Sequence, residues 1–212
     1  MRIAAGVLLL GIVLSVGGIA VVPAGSVGTA DRTIWVLVHL LLVVGAAAIL
    51  LGLPAIYGAQ SSATGLLGLV GFGLLFVGFL GIGFFVATVQ TFLLPWVYDK
   101  ASCTLGCHLL STGDGPPLYG WFYLVEGLAT FVGLILFGLA TARAAVLPRS
   151  AGYVMAVAGV LMLPVFIFSV SQVVALVPQI FGFLAVAWMA VALFSENLEP
   201  ADPARPAGVR RR

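Results

Sequence analysis

From Thr33 through Tyr98 the chain carries no Asp, Glu, Lys or Arg. So long an uncharged apolar stretch cannot be closed inside one water-soluble core, and it is the mark of helices crossing about 30 Å of hydrocarbon. The remainder agrees: 62% of the 212 residues are hydrophobic and 8% are charged, where a soluble domain carries about 25% charged residues. Leu, Ala, Gly and Val recur in long runs, whereas a membrane barrel would show segments of ~10 residues alternating polar and apolar. The fold class read from the sequence is therefore all-α, a polytopic membrane helix bundle.

Six transmembrane helices can be drawn, over Ile3–Val22, Thr33–Leu53, Leu66–Leu94, Leu118–Thr141, Ser150–Val170 and Val173–Phe194. Residues 1–194 then form the transmembrane domain, with a long outer loop over 95–117. Residues 195–212, with Pro200, Pro203 and Pro206 among mixed charges, read as a disordered cytoplasmic tail. The first segment is read as a retained helix; a cleaved signal peptide is the competing reading, given Met1-Arg2 and the small residues Gly28 and Ala30. Ser171 and Gln172 leave little room between the last two segments, so these form a tight hairpin with Pro178 in the first turn of the sixth helix.

The third segment carries an echo, Gly68, Gly71 and Gly73 followed by Gly78, Gly81 and Gly83. Its order is not that of a dinucleotide-binding turn and no strand precedes it, so it is read as close helix packing. Trp35 and Gly52 have the same separation as Trp121 and Gly138, which raises the reading of three similar hairpins.

Arg2, Arg143, Arg149, Arg205 and Arg210 to Arg212 fall on one side of this layout and only Arg32 and Lys100 on the other. The richer side is cytoplasmic by the positive-inside rule, so the chain is expected in the cell membrane with both termini inside and the 95–117 loop outside. The lipid bilayer is the partner this implies. The net charge of +2 is too small and dispersed for nucleic acid. No protein partner is legible.

The run from Phe137 to Leu163, with Arg143, Leu147, Pro148, Arg149 and Gly152, resembles a turn common in uncharacterised six-helix bacterial and archaeal membrane proteins. There an Arg-containing helix end meets Leu-Pro-Arg and a Gly-rich next helix. The resemblance implies the six-helix layout and transfers no functional residue.

Glu126 is the one carboxylate expected inside a span, where an ionisable group is costly and calls for a partner. His39, at a similar depth in the second segment, is the obvious one. Gln90 and Gln179 lie near the outer ends of their spans, as do Gln172, Ser169 and Ser171, while the inner half has almost nothing comparable. These residues suggest an outward-facing polar pocket with Glu126 and His39 as a charge pair and Gln90 and Gln179 as lining. The alternative is separate interhelical hydrogen bonds. Tyr98, Tyr119, Tyr123, Trp35, Trp96 and Trp121 crowd the same level as an interfacial aromatic belt.

Cys103 and Cys107, the only cysteines, fall on the outer side, where a local disulfide shapes the loop. Their spacing departs from Cys-x-x-Cys, so redox exchange and haem attachment fit poorly; Cys103, Cys107 and His108 remain weak candidate metal ligands. Two function classes stay open. One is a non-enzymatic membrane component that binds or passes a small solute, lipid headgroup or proton and calls for no cofactor; the other is a membrane redox protein using Cys103, Cys107 and His108. The first is favoured, and the scarcity of inner-half polar residues favours binding over transport.

Overall fold

The structure is a computed structural model and describes residues 1–21, 31–96, 117–168 and 172–196. Among the described residues every regular element is helical and no strand occurs. The chain is an all-α helical bundle. α1 spans Arg2–Val21 and α2 spans Arg32–Phe79. The run continues through a π-helical segment Leu80–Phe85, the single turn α3 (Val86–Thr88) and a second π-helical segment Val89–Leu93. α4 spans Pro117–Ala144, α5 Arg149–Ile167 and α6 Gln172–Glu196. Arg2–Val21, Arg32–Trp96, Gly120–Ala144 and Leu176–Ser195 are each long and apolar enough to cross a membrane, and Arg149–Val165 is a shorter apolar helix.

The Arg32–Trp96 run is not one rod. Gly65 sits at φ 57, ψ −154, a conformation open essentially to glycine alone, and the chain reverses there. Two contacts prove the reversal: Tyr57 stacks on Phe72 with ring centroids 4.8 Å apart, and Trp35 Nε1 donates to the Gln90 backbone oxygen at 3.1 Å. A first arm before Gly65 and a second arm after it therefore lie antiparallel. The sequence places a break between Leu53 and Leu66; the structure narrows it to Gly65 and keeps residues 54–64 helical. The hydroxyls there turn inward on the helix, Ser61 Oγ donating to Gly58 O at 3.2 Å and Thr64 Oγ1 to Ser61 O at 3.5 Å, so this polar stretch needs no loop.

Each helix packs on its neighbour in the chain, and α6 returns to α1. Glycine sets the closest approaches. A Cβ on Gly11 would overlap the Gly45 and Ile49 backbone, and one on Gly52 would overlap Leu8 and Ala4, joining α1 to the first arm. Gly71 meets the Phe137 backbone and Gly78 meets Thr130, joining the second arm to α4. Gly138 and Gly152 face each other between α4 and α5. This is the small-residue packing that apolar surroundings favour, since burial from water does not drive helices together there. Of the Gly echo, Gly71, Gly78 and Gly81 serve interhelical packing, while Gly73 faces open space. The matched Gly52 and Gly138 point to different kinds of neighbour, Gly52 back to α1 and Gly138 forward to α5.

Leu8, Leu53, Ile56, Phe137, Met155 and Met189 are fully buried at the centre. The outside is equally apolar: Val13, Leu51, Leu66, Val157 and Leu184 are each at least half exposed. Asp31 caps α2 through Oδ1, which accepts from Ile34 N at 3.1 Å. α4 ends with Ala145 at φ 53, and Pro148 leads into α5. α6 begins at Gln172, and Pro178, its seventh residue, lies inside the helix and not in the first turn expected for it. α6 also runs on through Ser195 and Glu196.

Candidate functional site

The helices line a half-open cavity of about 760 Å³, within the size range of small-molecule sites. Gln90 and Gln179, both singled out in the sequence as polar lining, do line it, together with Ser15, Tyr123 and Thr130. The remaining wall is apolar, from Leu42, Ile49 and Leu53 on one side to Leu134 and Val186 on the other. Neither His39 nor Glu126 lines it. The cavity is thus less polar than the sequence suggests, and the expected charge pair is not in it.

The second arm shapes the wall. Gly78 and Gly81 face α4, whereas Ile82, Gly83, Val86, Ala87 and Gln90 face the cavity. Leu75 and Phe79, ahead of the π-helical segments, line the cavity as well, so one cavity-facing stripe runs along the second arm from Leu75 to Gln90. On α6, Pro178 and Gln179 both line the cavity, and Pro178 lacks the N–H that would tie down the preceding turn. Neither the Gln90 nor the Gln179 side-chain amide has a hydrogen-bond partner among the described residues. Each amide is a paired donor and acceptor available to a ligand.

His39 is 3% exposed and is held within its own helix. Its Nδ1 lies 2.8 Å from Trp35 O, and its ring stacks on Trp35 at 4.3 Å. A carbonyl only accepts, so Nδ1 carries the hydrogen. Glu126 is half-buried between α4 and the second arm, its side chain filling the space where a Cβ on Gly81 would stand. Glu126 Oε2 is buried with no hydrogen-bond partner among the described residues. No ion pair or hydrogen bond joins Glu126 to His39 among the described residues. The pairing expected from depth alone fails because His39 is committed to Trp35 and Glu126 to the Gly81 notch.

Trp96 and Trp121 are exposed, 59% and 66%, as an aromatic belt requires, but Trp35 is 7% exposed and has an internal role. At the Gly65 end the structure also reveals polar groups that sequence reading passed over. Gln60 and Thr141 are both fully buried, and Gln60 Nε2 donates to Thr141 Oγ1 at 2.8 Å. Gln60 Oε1 has no partner among the described residues. The clue in the sequence was an amide beside Ser61, Ser62 and Thr64 following a long apolar run.

Cys103, Cys107 and His108, with the disulfide and metal readings attached to them, lie outside the described residues, as do Ser169, Ser171 and the tail beyond Glu196. Among the described residues no cluster of three or more His, Cys, Asp or Glu is placed to hold a metal ion. Compared with protein-family models, with curated proteins and with solved structures, the chain finds no match in any of the three.

Proposed function

We propose that the chain is a six-span integral membrane protein of the cell membrane that binds a small ligand in the cavity bearing Gln90 and Gln179. The spans are α1, the two arms of the Arg32–Trp96 run, α4, α5 and α6. The apolar exterior at Val13, Leu51, Val157 and Leu184 supports a bilayer around them. Orientation follows from Arg2, Arg143 and Arg149 at the Gly65 end against Arg32 at the other, which makes the Gly65 end cytoplasmic and opens the cavity toward the outer half. The likeness of Phe137–Leu163 to uncharacterised six-helix membrane proteins belongs to the same reading.

The observation that carries the binding role is the convergence of two unpartnered amides from distant parts of the chain on one cavity of about 760 Å³. Among the described lining residues there is no Asp, Glu, Lys, Arg, His or Cys, which favours binding as the role of the cavity. The test is thermal unfolding of the purified chain with and without bilayer lipid extract, because a ligand that binds only the folded state raises Tm. The wild-type chain should gain more than Ala46→Phe or Ala87→Phe, both of which fill the cavity. Equal gains in all three chains would rule the site out.

A further inference from the structure

We infer that the occupant of the cavity is an uncharged amphiphile taken from the bilayer: an apolar chain carrying a hydroxyl or carbonyl group that meets the amides of Gln90 and Gln179. This rests on the binding reading above and adds the chemistry of the ligand. Among the described lining residues there is no Asp, Glu, Lys, Arg or His. A charged head group would lose its hydration there and meet no opposite charge. The charged and imidazole groups described on the surrounding helices do not compensate, because none lines the cavity: His39 is bonded to Trp35, Glu126 is lodged against Gly81, and Asp31 and Arg32 lie exposed at the start of α2.

The polar groups present are of the kind that recognises an uncharged head. An amide offers a donor and an acceptor at once, matching a hydroxyl in both directions and a carbonyl through its N–H groups. Gln90 lies on the second π-helical segment and Gln179 follows Pro178 near the start of α6, so both sit toward the end of the bundle where Trp96 and Trp121 are exposed. From there apolar wall leads inward past Leu42 and Ile49 to Leu53 and Leu134. A head at the amides and a chain along that wall would keep the orientation an amphiphile has in the surrounding leaflet.

The experiment uses the full chain in lipid nanodiscs and three photoactivatable probes of equal chain length, ending in an alcohol, a carboxylate and a trimethylammonium group. Labelled peptides are located by mass spectrometry with and without excess non-photoactive alcohol. The alcohol probe should label peptides carrying Gln90, Tyr123 or Gln179 about tenfold more than either charged probe. Gln90→Leu combined with Gln179→Leu should reduce that labelling about tenfold, the loss of two hydrogen bonds of ordinary strength. Ala87→Phe, which fills the cavity and leaves both amides in place, should abolish it. Equal or stronger labelling of the same peptides by a charged probe would overturn the uncharged head while leaving the binding site in place. If no probe labels these peptides above the lipid-facing peptide carrying Val13, the inference and the binding reading fall together.

Discussion

Trp35 Nε1 donates to the backbone oxygen of Gln90 at 3.1 Å, across 55 positions of chain. The acceptor is available because the second π-helical segment leaves it without a partner in its own helix. Leu94 N–H is taken by Val89 O, and the next residue, Pro95, has no N–H to give. A side chain on the first arm thus repairs a defect in the second and fixes the height of Gln90 against the cavity. Trp35→Phe should orphan that carbonyl and lower stability by about 1–3 kcal/mol. Trp188→Phe, at a site 48% exposed, should change it little. Thermal unfolding of both variants in one detergent checks the difference.

The Gly81 notch and the Glu126 side chain should behave as one unit. Gly81→Ala puts a methyl group where the Glu126 carboxyl lies, so it should destabilise, and Glu126→Ala should relieve the clash. A double-mutant cycle should give a coupling of about 1 kcal/mol or more. Gly78→Ala is the control, because its methyl group meets the Thr130 backbone and Glu126→Ala cannot relieve it.

Much of the bundle was legible because long apolar runs with few charges mark its helices in the sequence. Gln90 and Gln179 were legible as lining because amides near the ends of apolar runs are rare and turn inward, away from an apolar exterior. The side-chain pairings were not. Depth placed His39 level with Glu126, but depth says nothing about which way a helix turns, and the i, i+4 neighbour Trp35 captures the imidazole first. The π-helical segments leave no compositional mark, so the Gln90 carbonyl that Trp35 meets could not be read. Gln60 escaped notice because its partner Thr141 lies 81 positions away.

His39 and Glu126 should therefore be independent. His39→Ala and Glu126→Gln should add within about 0.5 kcal/mol when combined, as distant sites do. Unfolding of the two single variants and the double variant, read by Tm and enthalpy, measures the coupling; a larger value would mean that the two side chains meet.

The Gln60–Thr141 bond should hold the Gly65 end together. A double-mutant cycle of Gln60→Leu and Thr141→Val should give about 0.6–1.7 kcal/mol, the range for hydrogen bonds between membrane helices. Thr141→Ser keeps the hydroxyl and should retain most of the coupling.

Gly65 should tolerate no side chain although space is open around it. Gly65→Ala forces an alanine to φ 57, ψ −154 and should cost about 1–3 kcal/mol. Gly73→Ala, also with open space but at ordinary helical dihedrals, should be neutral or stabilising by up to about 1 kcal/mol. Paired unfolding curves of the two variants separate backbone conformation from packing.

Occupancy of the Gln90 and Gln179 cavity is tested most directly by native mass spectrometry of the chain released from nanodiscs made with its own membrane lipids. The wild-type chain should retain one small molecule at a collision energy that strips surface lipid, and Ala46→Phe and Ala87→Phe should emerge bare. A bare wild-type chain, or the same retained mass on all three, would contradict a binding role for the cavity.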